Sequence, residues 1–263
     1  MPPRFHVPNS PGAAPWCPGL LLDLPPEAAR HVQVLRLQPG STLLLFNGQG
    51  GQWKACVQTM TRQGVQVELQ AHESVELELP LQVVLAVCMP ANDRMDTLVE
   101  KATELGAAGI VPLMSERSVL RLQGERAQRK QAHWQSVAIA ACEQCGRNRV
   151  PEVHEVQTLK SFMDAFAGTH ASDGRASESH ADARWMLSLA PDAQALAQLA
   201  RQGSPSMTPG AKLCLLSGPE GGLTPAEQSL AQSLGFMPVS LGARILRADT
   251  APLAAISAVS ALI

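Results

Sequence analysis

The sequence predicts an α/β protein in which a small β-barrel domain, residues 1–75, precedes a larger domain of alternating strands and helices, residues 76–263. Three observations support this prediction. Short apolar runs separated by glycine turns fill the first domain, as in antiparallel hairpins. An almost continuous apolar run at residues 81–87 is typical of a strand that is buried on both faces. From residue 213 onward, a strand, a glycine-rich turn and a helix start follow one another, which indicates an α/β layer.

Composition and charge narrow the classes of function. The chain has 263 residues, of which 45% are hydrophobic, enough for a packed core that folds unaided. A formal net charge of -2 gives no global basic signature, so any contact with nucleic acid would need a local patch. No apolar run approaches the length of a membrane helix, and the proline-rich start does not resemble a signal peptide. The sequence therefore predicts a cytoplasmic protein.

The cysteines do not predict a metal centre. Six of them are scattered through the chain, mostly in apolar runs, as reduced core residues are. Only Cys142 and Cys145 lie close together, at a spacing that could hold half of a zinc site or a redox disulfide. Zinc would need a second pair of ligands at suitable spacing, and the sequence shows none. We therefore predict no metal and favour helix packing for this pair.

The first domain begins with a short arm that several prolines keep extended. This arm carries Arg4, Phe5 and His6, which either tie down the terminus or touch a phosphate or base. A helix is predicted at residues 26–35, where two adjacent prolines precede apolar residues at helical spacing. The pattern then changes to β, and it predicts strands at residues 43–46, 52–59 and 64–70.

The second domain begins with a strand, a helix and a strand. After the apolar run that starts the domain, apolar residues recur at helical spacing until Gly106, and a second run follows at residues 110–113. This order predicts a βαβ unit with parallel strands. Residues 168–183 are polar and without periodicity, which predicts a mobile surface insertion. A strand at residues 186–189 and a helix at residues 192–201 are predicted after it.

Basic residues are concentrated in residues 117–149, where seven arginines and lysines occur with only two acidic residues. Such a region can be the solvated face of a helix whose other face is buried. Arginine also forks onto phosphate, so the same residues favour nucleic-acid binding. The two interpretations are compatible, because one helix can bury one face and expose the other.

The second domain is organised around residues 213–250. An apolar run there ends in a glycine-rich turn at residues 217–222, and Thr224 with Glu227 forms the capping box of a helix start. A second strand ends at Gly242. In α/β sheets, ligands bind at the carboxyl ends of the strands, where glycine leaves the backbone exposed. The two glycine turns are therefore the predicted site.

The ligand of these turns stays open on spacing alone. Glycine backbone beside apolar side chains suits a flat heteroaromatic ring such as adenine. Glu220 and Asp249 could favour a cationic ligand, and Arg247 an anionic one. Equally, the turns could be purely structural, with an ion pair between Arg247 and Asp249. A P-loop is excluded, because no lysine follows Gly222.

The last residues of the chain, 251–263, form a predicted helix that is apolar on nearly every side. A surface helix would show a polar stripe. We therefore expect this helix to be buried in its domain, in a subunit interface, or in both.

A series of ordered motifs links the chain to a known family. They read Arg4-Phe5-His6, His31-Val32-x-x-Leu35-Arg36-Leu37-x-Pro39-Gly40, Arg94-Met95-Asp96, Glu100-Lys101-Ala102-Thr103-Glu104-Leu105-Gly106, Ser115-Glu116-Arg117-Ser118, Ala141-Cys142-Glu143-Gln144-Cys145-Gly146-Arg147, Gly218-Pro219-Glu220-Gly221-Gly222 and Leu241-Gly242-x-Arg244-Ile245-Leu246-Arg247. With these motifs the chain closely resembles the bacterial 16S ribosomal RNA uridine N3-methyltransferases, the RsmE family of the SPOUT class. The resemblance extends over nearly the whole chain except residues 168–183.

The resemblance implies an architecture and a reaction. The first domain is expected to be a PUA-like barrel that helps to hold RNA, and the second a SPOUT-type domain whose end forms a trefoil knot. Members of the family are homodimers that bind S-adenosylmethionine in the knot. The expected reaction is methylation of N3 of one uridine in the decoding region of 16S ribosomal RNA, within the 30S subunit.

The resemblance, together with the two glycine turns, also implies a set of site residues. The expected cofactor-binding residues are Leu189, Ala190, Leu216, Gly218, Pro219, Glu220, Gly221, Gly222, Leu241, Gly242, Ile245, Leu246 and Arg247. The expected RNA-binding residues are Arg4, His6, His31, Arg36, Arg94, Arg117, Arg147 and Arg149.

The catalytic residues are expected at the same turns. Uridine N3 carries a proton at neutral pH, so the site must stabilise the charge that develops as this proton is lost. Arg247 is the expected stabilising group, and Glu220, Glu143 and Asp249 are the candidate bases. The family usually has Arg-Thr-Glu-Thr where this chain has Arg247-Ala248-Asp249-Thr250, so the carboxylate at Asp249 is shorter than usual.

One function of a different class remains. A ribosome-assembly factor that binds RNA and has lost methyl transfer would keep the basic region and the barrel. The intact glycine turns favour the enzyme over this alternative, and binding of S-adenosylmethionine discriminates between the two.

Overall fold

The computed structural model of the protein describes residues 2–9, 12, 15–91, 94–167, 182–201 and 208–263. The chain divides into two compact units. The first consists of Met1–Glu78 and Ile139–Val150, and the second of Leu79–Ala138 and Pro151–Ile263. The domain division predicted from the sequence placed residues 139–150 in the second domain, whereas their contacts assign them to the first unit.

The first unit contains a five-stranded sheet with one short helix. Its elements are β1 (Arg4–His6), β2 (Leu21–Asp23), α1 (Pro26–Val34), β3 (Thr42–Phe46), β4 (Gln52–Met60) and β5 (Val65–Glu73). The strand order is β1-β3-β4-β5-β2, in which β1 runs parallel to β3 and the other pairs are antiparallel. The helix and the three strands predicted here are confirmed as α1, β3, β4 and β5, with small shifts at their ends.

The core of the first unit follows the alternation of its strands. Leu43 and Leu45 of β3 and Val67 and Leu69 of β5 are fully buried, because alternate residues of a strand point to the same face. Phe5 in β1 is also fully buried among them. The arm is therefore fixed by Phe5, as one of the two interpretations of its sequence proposed.

The second unit is an α/β layer around one parallel sheet. Its elements are β6 (Gln82–Cys88), α2 (Arg94–Glu104), β7 (Gly109–Met114), α3 (Gly124–Cys145, whose end belongs to the first unit), β8 (Glu152–Val153), β9 (Gln157–Thr158), α4 (Leu159–Ala167), β10 (Ala183–Leu187), β11 (Gln194–Ala195), α5 (Leu196–Arg201), β12 (Lys212–Ser217), α6 (Pro225–Ser233), β13 (Met237–Ser240) and α7 (Thr250–Ala261). The strand order is β11-β13-β10-β12-β6-β7-β8, and β9 also pairs with β7. All of these pairs are parallel.

Two hydrophobic cores cover the two faces of this sheet. Val83 and Leu85 of β6 pack with residues of α2, α3, α5 and α7 on one face. Ala86 and Cys88 of the same strand pack with residues of α4 and α6 on the other. Strands that are covered on both faces need apolar residues at nearly every position. The predicted βαβ unit is therefore confirmed as β6, α2 and β7.

Helix ends in the second unit are determined by local chemistry. The Thr224 hydroxyl caps α6 by accepting a hydrogen bond from the Glu227 amide at 3.2 Å, and the Glu227 carboxylate accepts one from the Thr224 amide at 2.8 Å. This is the predicted capping box. Gly106 follows α2 with a φ of +95°, a conformation that glycine adopts without strain. It confirms the predicted end of that helix.

Three predicted segments differ from the structure. The strand predicted at residues 186–189 is β10, which starts earlier, at Ala183. Ala183 therefore belongs to a strand and not to the predicted insertion, of which residues 168–181 lie outside the described residues. The helix predicted at residues 192–201 is wrong at its start, because β11 pairs with β13 before α5 begins.

The last helix, α7, buries Pro252, Ala255, Ile256 and Val259 in the core of the second unit. The first of the two predicted locations is thus confirmed. Beyond its end, Leu262 and Ile263 are exposed. Across the described ranges, no helix combines the length and the apolar character that crossing a bilayer requires.

Candidate active site

A cavity of about 770 Å³ opens at the carboxyl ends of β10, β12 and β13. Crevices at this edge of a parallel sheet are the usual ligand sites of α/β proteins. The lining residues are Arg94, Met186, Leu187, Ser188, Leu189, Ala190, Ser217, Gly218, Pro219, Glu220, Gly221, Gly222, Leu223, Gln228, Val239, Leu241, Gly242, Arg244, Ile245, Leu246, Arg247, Ala248 and Ala251. Both predicted glycine turns therefore contribute to a single site.

The first glycine loop follows β12. The Gly222 amide donates to the Pro219 carbonyl at 2.8 Å, which closes a tight turn, and Gly222 has a φ of +66°. A Cβ on Gly218 would lie 3.2 Å from the amide nitrogen of Leu223, closer than nearly all real contacts of this kind. Glycine is needed at both positions, once for conformation and once for space. The loop therefore presents bare backbone to the cavity.

The second loop joins β13 to α7. Its Gly242 has a φ of +108°, and its amide donates to the Ser240 hydroxyl at 3.2 Å. Further along, the Arg247 carbonyl accepts hydrogen bonds from the amides of Thr250 and Ala251 at 3.0 and 2.9 Å. The backbone of Arg247 is thereby fixed to the first turn of α7.

One carboxylate of the cavity is held by a hydrogen bond and by a more distant cation. Glu220 Oε1 accepts a hydrogen bond from the Ala91 amide at 2.8 Å and lies 3.9 Å from Arg94 Nη1. Arg94 Nε lies 3.9 Å from Asp249 Oδ2, so this guanidinium stands between two carboxylates. The other oxygen of Asp249, Oδ1, is buried and has no hydrogen-bond partner among the described residues.

Two further arginines give the cavity a positive rim. Arg244 and Arg247 line it and are exposed, and neither forms an ion pair with any carboxylate in the described ranges. A guanidinium keeps its charge under all ordinary conditions and offers several donors in a fixed plane. The rim can therefore bind an anion or stabilise negative charge that develops within the cavity.

The predicted cofactor-binding residues gather at this cavity with one exception. All of them line it except Leu216, which is fully buried in the core that β12 shares with α4 and α6. Its position in β12 explains the error, since successive residues of a strand point to opposite faces. Ser217, which was not predicted, lines the cavity in its place.

Only two of the four predicted catalytic residues line the cavity. Arg247 and Glu220 line the cavity, whereas Asp249 does not and pairs with Arg94 instead of Arg247. Glu143 is not a lining residue either, because its carboxylate belongs to the first unit, where it accepts a hydrogen bond from the His6 amide at 2.9 Å. Burial raises the pKa of Glu143, although the His6 amide opposes this shift. Glu143 is therefore no longer a candidate base for the cavity of its own chain.

Two predicted RNA-binding arginines are buried within the first unit. Arg4 is 8% exposed and donates to the side chains of Gln52 and Asn148 and to the Arg147 carbonyl. Its burial lowers the pKa of Arg4 below its usual value. Arg147 is 3% exposed and is paired with the Glu78 carboxylate. Because both guanidinium groups are occupied inside the unit, the prediction that they contact RNA is corrected.

The other predicted RNA contacts of the first unit are more accessible. His31 is exposed, with its ring 5.3 Å from that of Phe5 in an edge-to-face contact, while His6 is half-buried. Arg36 is exposed at the end of α1 and has a φ of +54°, rare for a residue with a side chain. Arg149 is exposed and lies 3.5 Å from the Glu76 carboxylate.

The two predicted RNA contacts of the second unit both lie at the cavity or its loop. Arg94 lines the cavity, and exposed Arg117 donates a hydrogen bond to the Gly221 carbonyl at 2.9 Å. Arg244 also lines the cavity and was not among the predicted site residues. The signal for it was present, since Arg244 stands in the same motif as Gly242 and Arg247.

Family comparisons match both parts of the chain. The family model described as an RNA methyltransferase domain matches residues 77–260, which is more than half of the chain. The family model described as an RNA methyltransferase PUA domain matches residues 24–70.

Curated relatives match the chain over most of its length. The Ribosomal RNA small subunit methyltransferase E of Synechocystis sp. is 35% identical over 239 residues, 88% of this chain and 69% of that protein. The Bacillus subtilis protein of the same name is 30% identical over 238 residues, 89% of this chain and 87% of that protein.

Solved structures match the fold at similar identity. The Ribosomal RNA small subunit methyltransferase E from Neisseria gonorrhoeae, bound to S-adenosyl methionine, superposes with a TM-score of 0.82 at 32% identity. The match covers 100% of this chain and 98% of that one. A protein from Legionella pneumophila, solved in complex with the cofactor SAM, gives a TM-score of 0.85 at 32% identity and covers 99% of this chain and 98% of that one.

Proposed function

Because the chain belongs to the ribosomal RNA small subunit methyltransferase E family, we propose that it methylates N3 of one uridine in the decoding region of 16S ribosomal RNA. Membership of the family establishes the broader reaction, which is methylation of ribosomal RNA with S-adenosylmethionine as the methyl donor. One observation supports the finer proposal most. Two glycine loops enclose a single cavity whose arginine rim is free to stabilise a uridine anion.

The residues of the cavity fit S-adenosylmethionine. The volume of about 770 Å³ is within the usual range of small-molecule sites. Leu187, Leu241 and Val239 provide apolar walls for an adenine ring, and bare backbone at Gly218 and Gly242 can match the edge of that ring. Glu220 can attract the positive charges of the cofactor, since its carboxylate is the one acidic group among the lining residues.

The cofactor supplies an electrophilic methyl group on a sulfonium. In the proposed transfer, uridine N3 gives up its proton and would take the methyl group that the bound cofactor supplies, with the neutral thioether as the leaving group. Arg247 stabilises the negative charge that the uracil ring develops, because its guanidinium is exposed at the cavity and unpaired among the described residues. Glu220 accepts the proton, directly or through water.

Asp249 has a supporting part in this proposal. It does not line the cavity, but its carboxylate lies 3.9 Å from the guanidinium of Arg94, which in turn is 3.9 Å from Glu220. A shorter carboxylate than the family's usual glutamate can still hold Arg94 from this position. We propose that Asp249 orients Arg94 and takes no proton itself.

The architecture and assembly of the family are proposed for this chain as well. We propose that the first unit closes into a PUA-like barrel and that the second is a SPOUT-type domain with the two glycine loops in a trefoil knot. The strand order supports the knot, since β10 lies between the strands that the two loops follow. We further propose a homodimer, supported by the exposed apolar residues Ile245, Leu262 and Ile263, which acts on the 30S subunit in the cytoplasm.

Mapping of the product tests the function. Naked 16S ribosomal RNA and 30S subunits are incubated with protein and S-adenosylmethionine, and the methylated nucleotide is located by mass spectrometry. The expected product is one uridine methylated at N3, which also stops reverse transcriptase because the pairing edge of the base is blocked. A methyl group on another atom or base would contradict the proposed specificity, and no product on either substrate would contradict the assignment as a whole.

Family membership favours the enzyme over an assembly factor without methyl transfer, the alternative that the sequence left open. Calorimetry with S-adenosylmethionine distinguishes the two functions, because a factor that only binds RNA should show no heat of binding. Gly218, Gly222 and Gly242 line the cavity and leave its backbone uncovered by side chains, which favours a protein that binds the cofactor.

A further inference from the structure

A short loop after β7 is built to be rigid. In residues 115–118, the Ser115 amide donates to the Ser118 hydroxyl at 2.9 Å, and the two hydroxyl oxygens lie 3.0 Å apart. Both serines are buried. Arg121 donates to the Glu116 carbonyl at 2.8 Å and closes the loop from its other side. We name residues 115–118 the serine loop.

Arg117 of the serine loop supports the first glycine loop of the cavity. Its Nη1 donates to the Gly221 carbonyl at 2.9 Å. A Cβ on Gly221 would lie 3.4 Å from Cβ and 3.5 Å from Cδ of Arg117, so the aliphatic stem runs beside the glycine and leaves room for a methyl group. The guanidinium of Arg117 therefore holds the backbone of Gly221, which lines the cavity.

A second bond fixes the serine loop to the helix that follows the glycine loop. The Glu116 amide donates to Glu227 Oε1 at 2.8 Å, while Glu227 Oε2 accepts from the Thr224 amide in the capping box of α6. One carboxylate thus joins the serine loop to the end of the glycine loop. With two anchors, the serine loop cannot shift without a change at the cavity wall.

Most of the Arg117 guanidinium is left for another ligand. Only one of its donors is used, the residue is exposed, and in the part of the chain that the structure describes no carboxylate pairs with it. Unpaired arginine donors arranged in a plane match the oxygens of a phosphate. The neighbouring positive charge of Arg121 also favours an anion here.

We propose that Arg117 is a positioning residue that couples RNA to the cofactor: one donor holds Gly221, and the remaining donors bind a phosphate of the ribosomal RNA backbone. A phosphate at this position would fix the guanidinium and, through it, the wall of the cavity. By linkage, a bound cofactor must then strengthen RNA binding by the same factor. The inference rests on the proposed function, because it takes ribosomal RNA as the substrate.

The test compares Arg117→Gln and Arg117→Lys with the wild type. The affinity for S-adenosylhomocysteine, which permits no turnover, is measured by equilibrium dialysis with and without 16S ribosomal RNA. In the wild type, RNA is expected to tighten this affinity by about 5-fold or more, the lower end of typical coupling between two sites. In both variants RNA should leave this affinity about unchanged, because neither side chain can hold the Gly221 carbonyl and a phosphate at once.

The salt dependence of RNA binding separates the phosphate contact from the coupling. Arg117→Gln should reduce the slope of log affinity for RNA against log salt concentration by about the amount of one phosphate contact. Arg117→Lys should keep that slope, because lysine keeps the charge. Arg126→Gln is the matched control, because Arg126 is an exposed arginine of α3 with no contact to the glycine loop. This control should keep the coupling.

The outcomes separate the inference from the function on which it rests. The inference is overturned if RNA tightens the affinity for S-adenosylhomocysteine in both Arg117 variants as much as in the wild type. It is also overturned if Arg126→Gln loses this effect to the same extent. In either case, methyl transfer by the wild-type protein would still support the function. Wild-type protein that binds no S-adenosylhomocysteine contradicts the proposed function itself. If Arg117→Gln fails to fold, Arg117→Lys alone decides, because it keeps the charge and most of the stem.

Discussion

Two pairs of arginines, one pair in each unit, have opposite surroundings. In the first unit, Arg4 and Arg147 are buried, and each has partners inside the unit. In the second unit, Arg244 and Arg247 are exposed at a cavity and have no carboxylate partner among the described residues. Both pairs stand in the motifs by which the sequence resembles the family. An arginine of such a motif therefore serves either the fold or the ligand, and burial with internal partners decides which.

The difference follows from the cost of desolvation. A buried guanidinium is tolerated when carboxylates or carbonyls accept most of its hydrogen bonds, and its burial leaves no donor open to RNA. An exposed and unpaired guanidinium loses little by binding a substrate, so it stays available for one. Four substitutions test this contrast, and they follow in order of expected effect.

Arg147→Ala should have the largest effect on stability. It leaves the Glu78 carboxylate, whose side chain is only 20% exposed, without its cation. Breaking a buried pair in this way costs about 3–5 kcal/mol, which urea unfolding would measure. The matched control is the double substitution Arg147→Met with Glu78→Met, which removes both charges and should recover much of that loss. Unchanged stability in Arg147→Ala would show that Arg147 does not serve the fold.

Arg247→Ala should have the largest effect on catalysis. Removing one group that stabilises developing charge typically lowers kcat by about 10²–10³-fold. The free energy of unfolding should change little, because the guanidinium has no partner within the described residues. The affinity for S-adenosylmethionine should also change little, because the proposal places this guanidinium against the uracil ring and not against the cofactor. Single-turnover kinetics and calorimetry measure the two effects separately. Wild-type turnover in this variant would remove Arg247 from the mechanism.

Asp96→Ala tests whether a charged residue of the second unit also serves the fold, as Arg147 does in the first unit. In the second unit, Asp96 accepts hydrogen bonds from Trp134 Nε1 at 2.9 Å and from His133 Nε2 at 2.7 Å. Removal would leave the indole of Trp134, which is 1% exposed, without an acceptor. An unsatisfied buried donor costs about 1–3 kcal/mol. Asp164→Ala, at an exposed position of α4, is the control and should change stability far less.

The effect of Asp96 should also depend on pH. Partial burial acts to raise the pKa of Asp96, but the hydrogen bonds from His133 and Trp134 outweigh it and hold the pKa below its usual value. A carboxyl whose pKa is lower in the folded state stabilises the fold above its unfolded pKa and loses this contribution as the pH falls through the folded pKa. The stability difference between wild type and Asp96→Ala should therefore shrink in acid. A difference that grows in acid would contradict this account.

Arg129→Ala should have the smallest effect of the four. Arg129 pairs with Glu125 at 2.6 Å on the surface of α3, and both side chains are more than three-quarters exposed. Pairs of this kind on a helix contribute about 0.3–0.5 kcal/mol. Differential scanning calorimetry at low and high salt would measure the change and its screening. A loss as large as that of Arg147→Ala would show that exposure does not decide the role of an arginine here.

The sequence predicted the features that local chemistry determines. The capping box at Thr224, the helix end at Gly106 and the apolar strand β6 each depend on a few neighbouring residues, and the structure confirms all three. The position of the cavity was also predictable, because both glycine turns follow strands of one parallel sheet and so reach the same edge.

Features that depend on distant contacts could not be predicted. Nothing local to Arg147 shows that its chain segment packs with an arm more than a hundred residues earlier, where Arg4 donates to its carbonyl. This contact is one of those by which residues 139–150 belong to the first unit. The bond from Arg117 to Gly221 also joins distant segments, so the motif indicated an RNA contact and not a support for the cavity.

The link between Arg247 and the first turn of α7 bears on when the protein becomes active during its synthesis. Apart from Arg94, the lining of the cavity comes from the chain from Met186 onward, and the carbonyl of Arg247 accepts hydrogen bonds from amides of α7. During translation, amino-terminal regions generally fold first. A nascent chain therefore completes the wall of the cavity only after α7 has left the ribosome, so a product that terminates before α7 lacks a complete cofactor site.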